Sequence, residues 1–238
     1  MNEHAFSRTE QLLGTTAMNR LAAARVAVFG IGGVGGYAAE GLARSGVGAL
    51  DLIDNDTVSL TNLNRQIIAL HSTLGRYKTD VMQARIADIA PQTAVHVHRC
   101  FFLPENAHTF DFSLYDYVVD AVDTVTAKLE IISRAAAAGV PVISCMGTGN
   151  KTNPSALAVT DIANTSGCPL ARVMRRELRA RGIEHVRVVY SSEVPHRAST
   201  AGEERTAAGR IPPASAVFVP GTAGLLMASE VVRALTLN

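Results

Sequence analysis

The run RVAVFGIGGVGGYAAEGLARSGVGALDLID, residues 25–54, is compatible with very few folds. It reads as an apolar strand, a glycine turn, a helix and a second strand that ends in an acid. Gly30, Gly32 and Gly35 match GxGxxG. Three physical needs set such glycines: a tight turn, close approach of backbone to phosphate, and close packing of helix on strand. The helix start then offers unpaired N–H groups to an anion. Asp54 falls nineteen residues beyond Gly35, where a carboxylate accepts hydrogen bonds from ribose hydroxyls. The pattern predicts a bound nucleotide. NAD, FAD and ATP all present phosphate and ribose, and the motif alone does not choose among them. Glycines used only for turning the chain are the remaining alternative.

Short β-rich runs alternate with helical stretches from residue 25 to about 145. Strands are expected over 26–29, 50–53, 94–98, 117–120 and 142–145, with helices over 33–44 and 78–89. In the second of these helices Met82, Ile86 and Ile89 form one apolar stripe, expected to be core. Beyond Gly149 the rhythm changes to a strand over 156–160, a helix over 170–181, a strand over 185–190 and a last helix over 222–235. The predicted class is α/β, a Rossmann-like, mostly parallel sheet with helices on both faces, extended by antiparallel strands in the C-terminal half. Ser7 and Glu10 have capping-box spacing and predict a short helix carrying Leu12 and Leu13 to Gly14. Residues 195–213 lack apolar periodicity and are expected to form a mobile loop.

Composition narrows the setting. With 238 residues, 47% of them apolar and 18% charged, the chain has the material for one large domain with a buried core, which excludes disordered, collagen-like and coiled-coil classes. Cys100, Cys145 and Cys168 are odd in number and far apart, so neither a disulfide framework nor a CxxC zinc ribbon is expected. A reducing cytoplasm is the expected location. The first residues lack an apolar signal core, and the longest apolar stretch, 215–237, is interrupted by Pro220, Glu230 and Arg233, so no membrane association is expected.

The residues after the acid discriminate between nucleotides. Asp54, Asp56, Asn62, Asn64, Arg65, Gln66 and Lys78 follow the second strand closely. A dinucleotide needs one acid there, whereas a triphosphate needs cations that neutralise its terminal phosphates, and Arg65 and Lys78 suit that role. Asp120 and Asp123 fall at the carboxyl end of the fourth strand, which borders the ligand crevice in open parallel sheets. Carboxylates there suit Mg²⁺ held by few protein oxygens and several phosphate oxygens. Asp123 is the metal candidate; for Asp120 a share in the metal site and a structural role, as a strand-end cap or a pair with Lys128, stand about equally.

GIGGVG, LIDNDTVSLTNLNRQ, a downstream lysine and VVDAVD together resemble the adenylating family of ubiquitin-activating enzymes and their bacterial relatives in thiamine and molybdopterin synthesis. The resemblance implies conversion of a carboxylate into an acyl adenylate by ATP and Mg²⁺. It further implies that Gly32 and Gly33 contact phosphate, Asp54 the ribose, Arg65 and Lys78 the phosphates, and Asp123 the magnesium. Gly30, Gly35, Asp56, Asn62, Asn64 and Gln66 complete the expected nucleotide site. Family dimers insert an N-terminal arginine into the partner's ATP site, and Arg8 matches that position, its alternative being a solvated helix residue. The chain then divides into an N-terminal helical arm (1–24), a nucleotide-binding half (25–150) and a substrate and dimer half (151–238) of one adenylating domain.

Paired CxxC motifs are lacking, and there is no length for a catalytic-cysteine domain, so a protein-thioester mechanism is not expected. Cys168 precedes a proline near a helix start, where either an activated thiolate or a buried cysteine fits. The segments MGTGNKTNPSALAVTDIANTSGCPLARVMRRELR and VVYSSEVP resemble one branch, the tRNA threonylcarbamoyladenosine dehydratases, which are zinc-free and dimeric. That resemblance implies a tRNA partner, a homodimer and, as candidate partners, sulfur-transfer proteins. With a net charge of only +1, RNA must be met by a local patch. Arg172, Arg175, Arg176 and Arg179 recur at spacings of three and four and define one helix face, which serves either RNA phosphates or plain solvation. Arg197, Arg205 and Arg210 add to it from the expected loop. An activator of a ubiquitin-like or sulfur-carrier protein, an NAD-dependent oxidoreductase and a non-catalytic RNA-binding relative remain the competing readings.

Overall fold

A computed structural model describes residues 4–196 and 213–237. Two short helices come first, α1 (Ser7–Leu13) and α2 (Thr15–Ala23), separated by Gly14 at φ +84°. Then follow β1 (Arg25–Phe29), α3 (Gly35–Arg44), β2 (Ala49–Ile53), α4 (Lys78–Ile89), β3 (Ala94–His98), β4 (Tyr117–Asp120), α5 (Val125–Ala137) and β5 (Val142–Cys145). The chain ends with β6 (Leu157–Asp161), α6 (Pro169–Arg179), β7 (Arg187–Ser191) and α7 (Phe218–Thr236).

One seven-stranded sheet in the order β3-β2-β1-β4-β5-β7-β6 carries the fold. Six strands run parallel, and only the edge strand β6 is antiparallel, paired with β7 in the register Val159 to Val189. The antiparallel extension is thus a single strand folded back along a neighbour that itself continues the parallel sheet. Strand order reverses between β1 and β4, and open α/β sheets form their ligand crevice at such a switch point.

Parallel strands buried on both faces need near-continuous apolar sequence, and β1 supplies it: Val26, Ala27, Val28 and Phe29 are all fully buried. On one face Val26, Val28, Leu50, Leu52 and Val119 pack against α3, α4 and α7 through Leu42, Met82, Ile86 and Met227. Met82 and Ile86 of the predicted stripe are fully buried, and Ile89 packs on the margin of the same core. On the other face Phe29 meets Phe102, Phe110 and Phe112, with ring centroids 4.9 to 5.9 Å apart. Edge-to-face and offset aromatic pairs of this kind add about 0.5–1.5 kcal/mol each beyond area burial. A third cluster seats α6 through Ala171, Met174 and Leu178 against Val188 of β7.

Helix α7 is long and apolar enough to cross a membrane by length and composition, with mean hydropathy 1.2. It lies instead along α3, burying Ala223, Met227, Ala228 and Val231 in the core. Glycines make that approach possible: a Cβ on Gly224 would stand 2.2 Å from the Val34 carbonyl oxygen, and one on Gly41 2.8 Å from Ala228 Cβ.

Two expectations need correction. The capping box at Ser7 does not form: Phe6 occupies the N-cap, Ser7 Oγ accepts from the His4 amide at 2.8 Å, and Glu10 meets the His4 ring at 3.0 Å. The final helix starts at Phe218 rather than at 222, because Pro220 lies in its first turn, where a missing N–H costs nothing. Residues 197–212, which hold most of the expected mobile loop and Arg197, Arg205 and Arg210, lie outside the described residues.

Candidate active site

A cleft of about 520 Å³ opens at the carboxyl ends of β1, β2, β4 and β5. Its first wall is the glycine loop. Gly30 adopts φ +87°, and a Cβ there would lie 2.9 Å from the Ala121 carbonyl oxygen, so both conformation and space demand glycine. Gly32 and Gly33 line the cleft, and the stem of Arg65 passes over Gly33, where a Cβ would sit 3.4 Å from Arg65 Cγ. Gly35 stays outside the lining. A Cβ on it would fall 1.7 Å from the Gly30 carbonyl oxygen, so its role is to let α3 start directly against the loop.

Asp54 ends β2 and folds back onto the loop. Its Oδ2 accepts from the Ile31 amide at 2.7 Å and its Oδ1 from the Asp56 amide at 2.8 Å, which leaves one lone pair on each oxygen for ribose hydroxyls. Burial raises the Asp54 carboxyl above its ordinary value, against the opposing pull of Lys78 and the two amides. Beside it, Gln66 is buried with Oε1 lacking a hydrogen-bond partner among the described residues. A buried orphan acceptor is costly unless a ligand satisfies it, and a hydroxyl group would supply the donor it lacks.

The cationic side of the cleft is also assembled. Lys78, at the first position of α4, is buried and reaches Asp56 Oδ2 at 2.6 Å. Arg65 Nη1 donates to the Thr61 carbonyl at 2.8 Å and to Asn64 Oδ1 at 3.1 Å. Asn62 is buried, and its Oδ1 accepts from the Ser59 amide to hold this turn. Asn64 does not line the cleft; its Nδ2 donates to the Ser215 carbonyl at 2.8 Å and so secures the opposite rim.

Opposite stand Ala121, Val122, Asp123 and Thr124 of the β4–α5 turn. Asp123 is exposed and makes no hydrogen bond or ion pair among the described residues. Asp120 is fully buried: Ser144 Oγ donates to its Oδ2 at 2.6 Å, and Lys128 Nζ lies 3.1 Å away, with only 1% of the lysine side chain exposed. Of the two readings open for Asp120, the structural one holds: it pairs with Lys128, accepts from the Val122 amide and does not line the cleft. Removing one partner from such a pair costs about 3–5 kcal/mol. Among the described residues no three His, Cys, Asp or Glu side chains gather to cage a metal. One free carboxylate beside a phosphate site nevertheless fits Mg²⁺, which keeps its waters and takes few protein ligands.

Sequence reasoning missed the remaining walls. Met146, Gly147, Thr148 and Gly149 follow β5; Cys100, Phe101 and Phe102 follow β3; Pro213, Ser215 and Pro220 arrive from the start of the last helix. The glycines after β5 carried a usable signal, since strand ends at a switch point border the crevice. Pro213 and Ser215 carried none, because long-range contacts alone bring them in. Burial pushes the Cys145 thiol up to about 12 and raises Cys100 as well, so neither is an activated nucleophile. Cys168 is buried at the start of α6, which supports the buried alternative.

Arg8 is exposed on α1 and does not line the cleft of its own chain. On α6, Arg172, Arg176 and Arg179 are exposed, but Arg175 turns inward to the carbonyl oxygen and hydroxyl of Thr165, so the basic face has three exposed positions, not four. Arg176 is shared with Glu177 at 2.7 Å.

The model of the ThiF family matches residues 6–238. The chain belongs to the ThiF family. Among relatives, this ThiF-family chain is 42% identical to the tRNA threonylcarbamoyladenosine dehydratase of Bacillus subtilis, over 98% of this chain and 94% of that protein. It also resembles the Escherichia coli enzyme of that name, TcdA, solved in complex with ATP, at TM-score 0.87 and 34% identity over 98% of this chain and 94% of that one. The same E. coli protein in complex with AMP gives TM-score 0.88 at equal identity and coverage. The seven-stranded sheet of this ThiF-family chain is therefore the expected adenylating fold.

Proposed function

We propose that this chain catalyses the ATP-dependent dehydration of N6-threonylcarbamoyladenosine at position 37 of tRNA. One observation carries the reading: a glycine loop, an orphan Gln66 acceptor, two cations and a free carboxylate converge on one cleft, in a chain similar nearly end to end to dehydratases of that name. Residues 1–238 act on this reading as one adenylating domain.

The threonine carboxylate of the modified base resists nucleophiles because its charge repels them and oxide is a poor leaving group. Its oxygen attacks the α-phosphorus of ATP, a new P–O bond forms, and pyrophosphate leaves. The neighbouring urea then attacks the acyl carbon, closes a five-membered ring and expels AMP, with one proton lost to solvent and one carboxylate oxygen leaving on AMP. Both partners belong to one nucleotide, so ring closure benefits from an effective concentration worth about 7–11 kcal/mol in favourable cases. No enzyme thioester is needed, in keeping with the buried state of Cys145 and Cys168.

Asp54 and Gln66 hold the ribose, Gly32 and Gly33 offer amides to phosphate, and Lys78 and Arg65 bear the charge of the β and γ groups. Asp123 would hold Mg²⁺, which supplies charge neutralisation at the phosphates. Arg8, exposed and outside the lining of its own cleft, reaches the cleft of a second copy in a homodimer. Arg172, Arg176 and Arg179 receive the tRNA backbone, which sets the activity in the cytoplasm. Mass analysis of tRNA nucleosides from cells lacking the chain tests this: the open threonylcarbamoyl form accumulates and the cyclic form disappears. Unchanged nucleosides, together with pyrophosphate exchange only when a carrier protein ending in Gly-Gly is added, would replace it with a carrier-activating role.

A further inference from the structure

The buried pair of Lys128 and Asp120 lies directly beneath the turn that presents Asp123, and no step of the chemistry uses it. The turn is held on every side. Ala121 donates its amide to the Phe29 carbonyl at 2.9 Å, Gly30 abuts the Ala121 carbonyl, and the Val122 amide reaches Asp120 Oδ1 at 3.3 Å. On the helix side the Lys128 amide donates to the Thr124 carbonyl at 3.0 Å, while its Nζ returns to Asp120 Oδ2 at 3.1 Å and to Ser144 Oγ at 3.4 Å. The ion pair therefore ties the last residue of β4 to the first turn of α5, with Asp123 inside the closed segment. It also engages the ammonium group of Lys128, and among the described residues no cation pairs with Asp123.

We propose that Lys128, through its ion pair with Asp120 and Ser144, is a positioning residue that fixes the β4–α5 turn so that Asp123 faces the metal-bound triphosphate. The proposal rests on the ATP reading above but not on the identity of the acceptor. A long buried side chain at this place costs desolvation and conformational entropy, and an apolar residue of similar length would pack more cheaply. What a methionine cannot supply is a fixed anchor for the Asp120 carboxylate, whose other oxygen orients the turn.

The test is calorimetric titration of the full chain with ATP, once in Mg²⁺ and once in EDTA, for the wild type, Asp123→Asn, Lys128→Met and the double variant Asp120→Asn/Lys128→Met, which leaves no unpaired buried charge. Wild type binds ATP more tightly in Mg²⁺. Asp123→Asn loses that gain. Lys128→Met and the double variant lose about tenfold of the gain while keeping ATP affinity in EDTA within about twofold of wild type. A Mg²⁺ gain that survives in the double variant overturns the proposal, as does an equal loss of affinity in both buffers, which marks a purely structural pair. Failure of the wild type to bind ATP at all overturns the functional reading with it, whereas normal ATP binding with unchanged cellular tRNA nucleosides overturns only the choice of acceptor.

Discussion

Lys78 Nζ stands 2.6 Å from Asp56 Oδ2, the lysine side chain 7% exposed and the aspartate 59%. The ammonium group is thus already aimed along the cleft wall, held by a carboxylate that solvent can reach and that a triphosphate can replace. Lys78→Ala is expected to lower tRNA-dependent pyrophosphate release on the order of 100-fold, the scale of removing one electrostatic donor from a preorganised site. Asp56→Ala removes only the holder, and a loss below about tenfold is expected. Steady-state pyrophosphate assays on the two variants check the order.

A methyl group at Gly35 collides with the Gly30 carbonyl oxygen at 1.7 Å, and neither backbone has room to yield. Gly35→Ala is therefore expected to lower the melting temperature sharply and to abolish ATP binding. Gly182, at φ +75° with open space around its Cβ position, is the matched control: Gly182→Ala costs about 1–2 kcal/mol of backbone strain and leaves ATP binding intact. Thermal melts and ATP titration on both variants separate contact from strain.

Glu193 accepts from the Thr152 and Asn153 amides at 2.9 Å each and from the His196 ring at 3.0 Å. These bonds, the Thr152 amide foremost, hold its carboxyl at about 2, below the ordinary 4.5. The folded state then binds fewer protons than the unfolded state between these values, so stability rises with pH across that window. The melting-temperature difference between wild type and Glu193→Gln is expected to be constant above pH about 5 and to shrink as pH falls from 4.5 towards 2.

Charge reversal at Arg172, Arg176 and Arg179 is expected to weaken tRNA binding and flatten its salt dependence, with ATP affinity unchanged, because each released phosphate contact removes about one unit from the salt slope. Arg175→Ala is expected to act differently. It lowers thermal stability through the lost Thr165 contacts and leaves the salt slope alone. Filter binding across a salt series distinguishes the two.

Arg8→Ala and Lys78→Ala are each expected to lose nearly all activity, and a mixture of the two is expected to regain about a quarter of wild-type activity when subunits exchange in a twofold dimer, because half of the molecules then carry one complete site. No recovery would place Arg8 outside the partner's cleft. The measurement is pyrophosphate release after co-incubation of the purified variants.

Legibility in the sequence followed the range of the forces involved. β3, β4, β5 and α4 have the bounds that alternation and apolar spacing predict, because local pattern and core agree there. The cleft lining was legible for the same reason: Gly30, Asp54 and Asp123 follow strand ends that the parallel topology gathers at one edge, and Lys78 joins them from the first position of α4. α2 and α5 were not delimited, and Arg175 was placed on a free face although Thr165 lies within its reach. Pro213 and Ser215 at the rim depend on Asn64 and Asn150, residues remote in sequence, and no local spacing announces them.

Asn150 adopts φ +58° and meets both ends of the segment that leaves β7: its carbonyl accepts from the His196 amide at 2.7 Å, its amide donates to the Ala214 carbonyl at 2.7 Å, and its Oδ1 accepts from the Ala214 amide at 2.7 Å. Chain entering at 196 and returning at 214 is thereby clasped on a single asparagine. Insertions or deletions between those positions leave the rim in register, since lengthening a closed excursion costs only about 0.6 kcal/mol per doubling. The length of chain between the two ends can therefore change without rebuilding the rim that Asn150 sets.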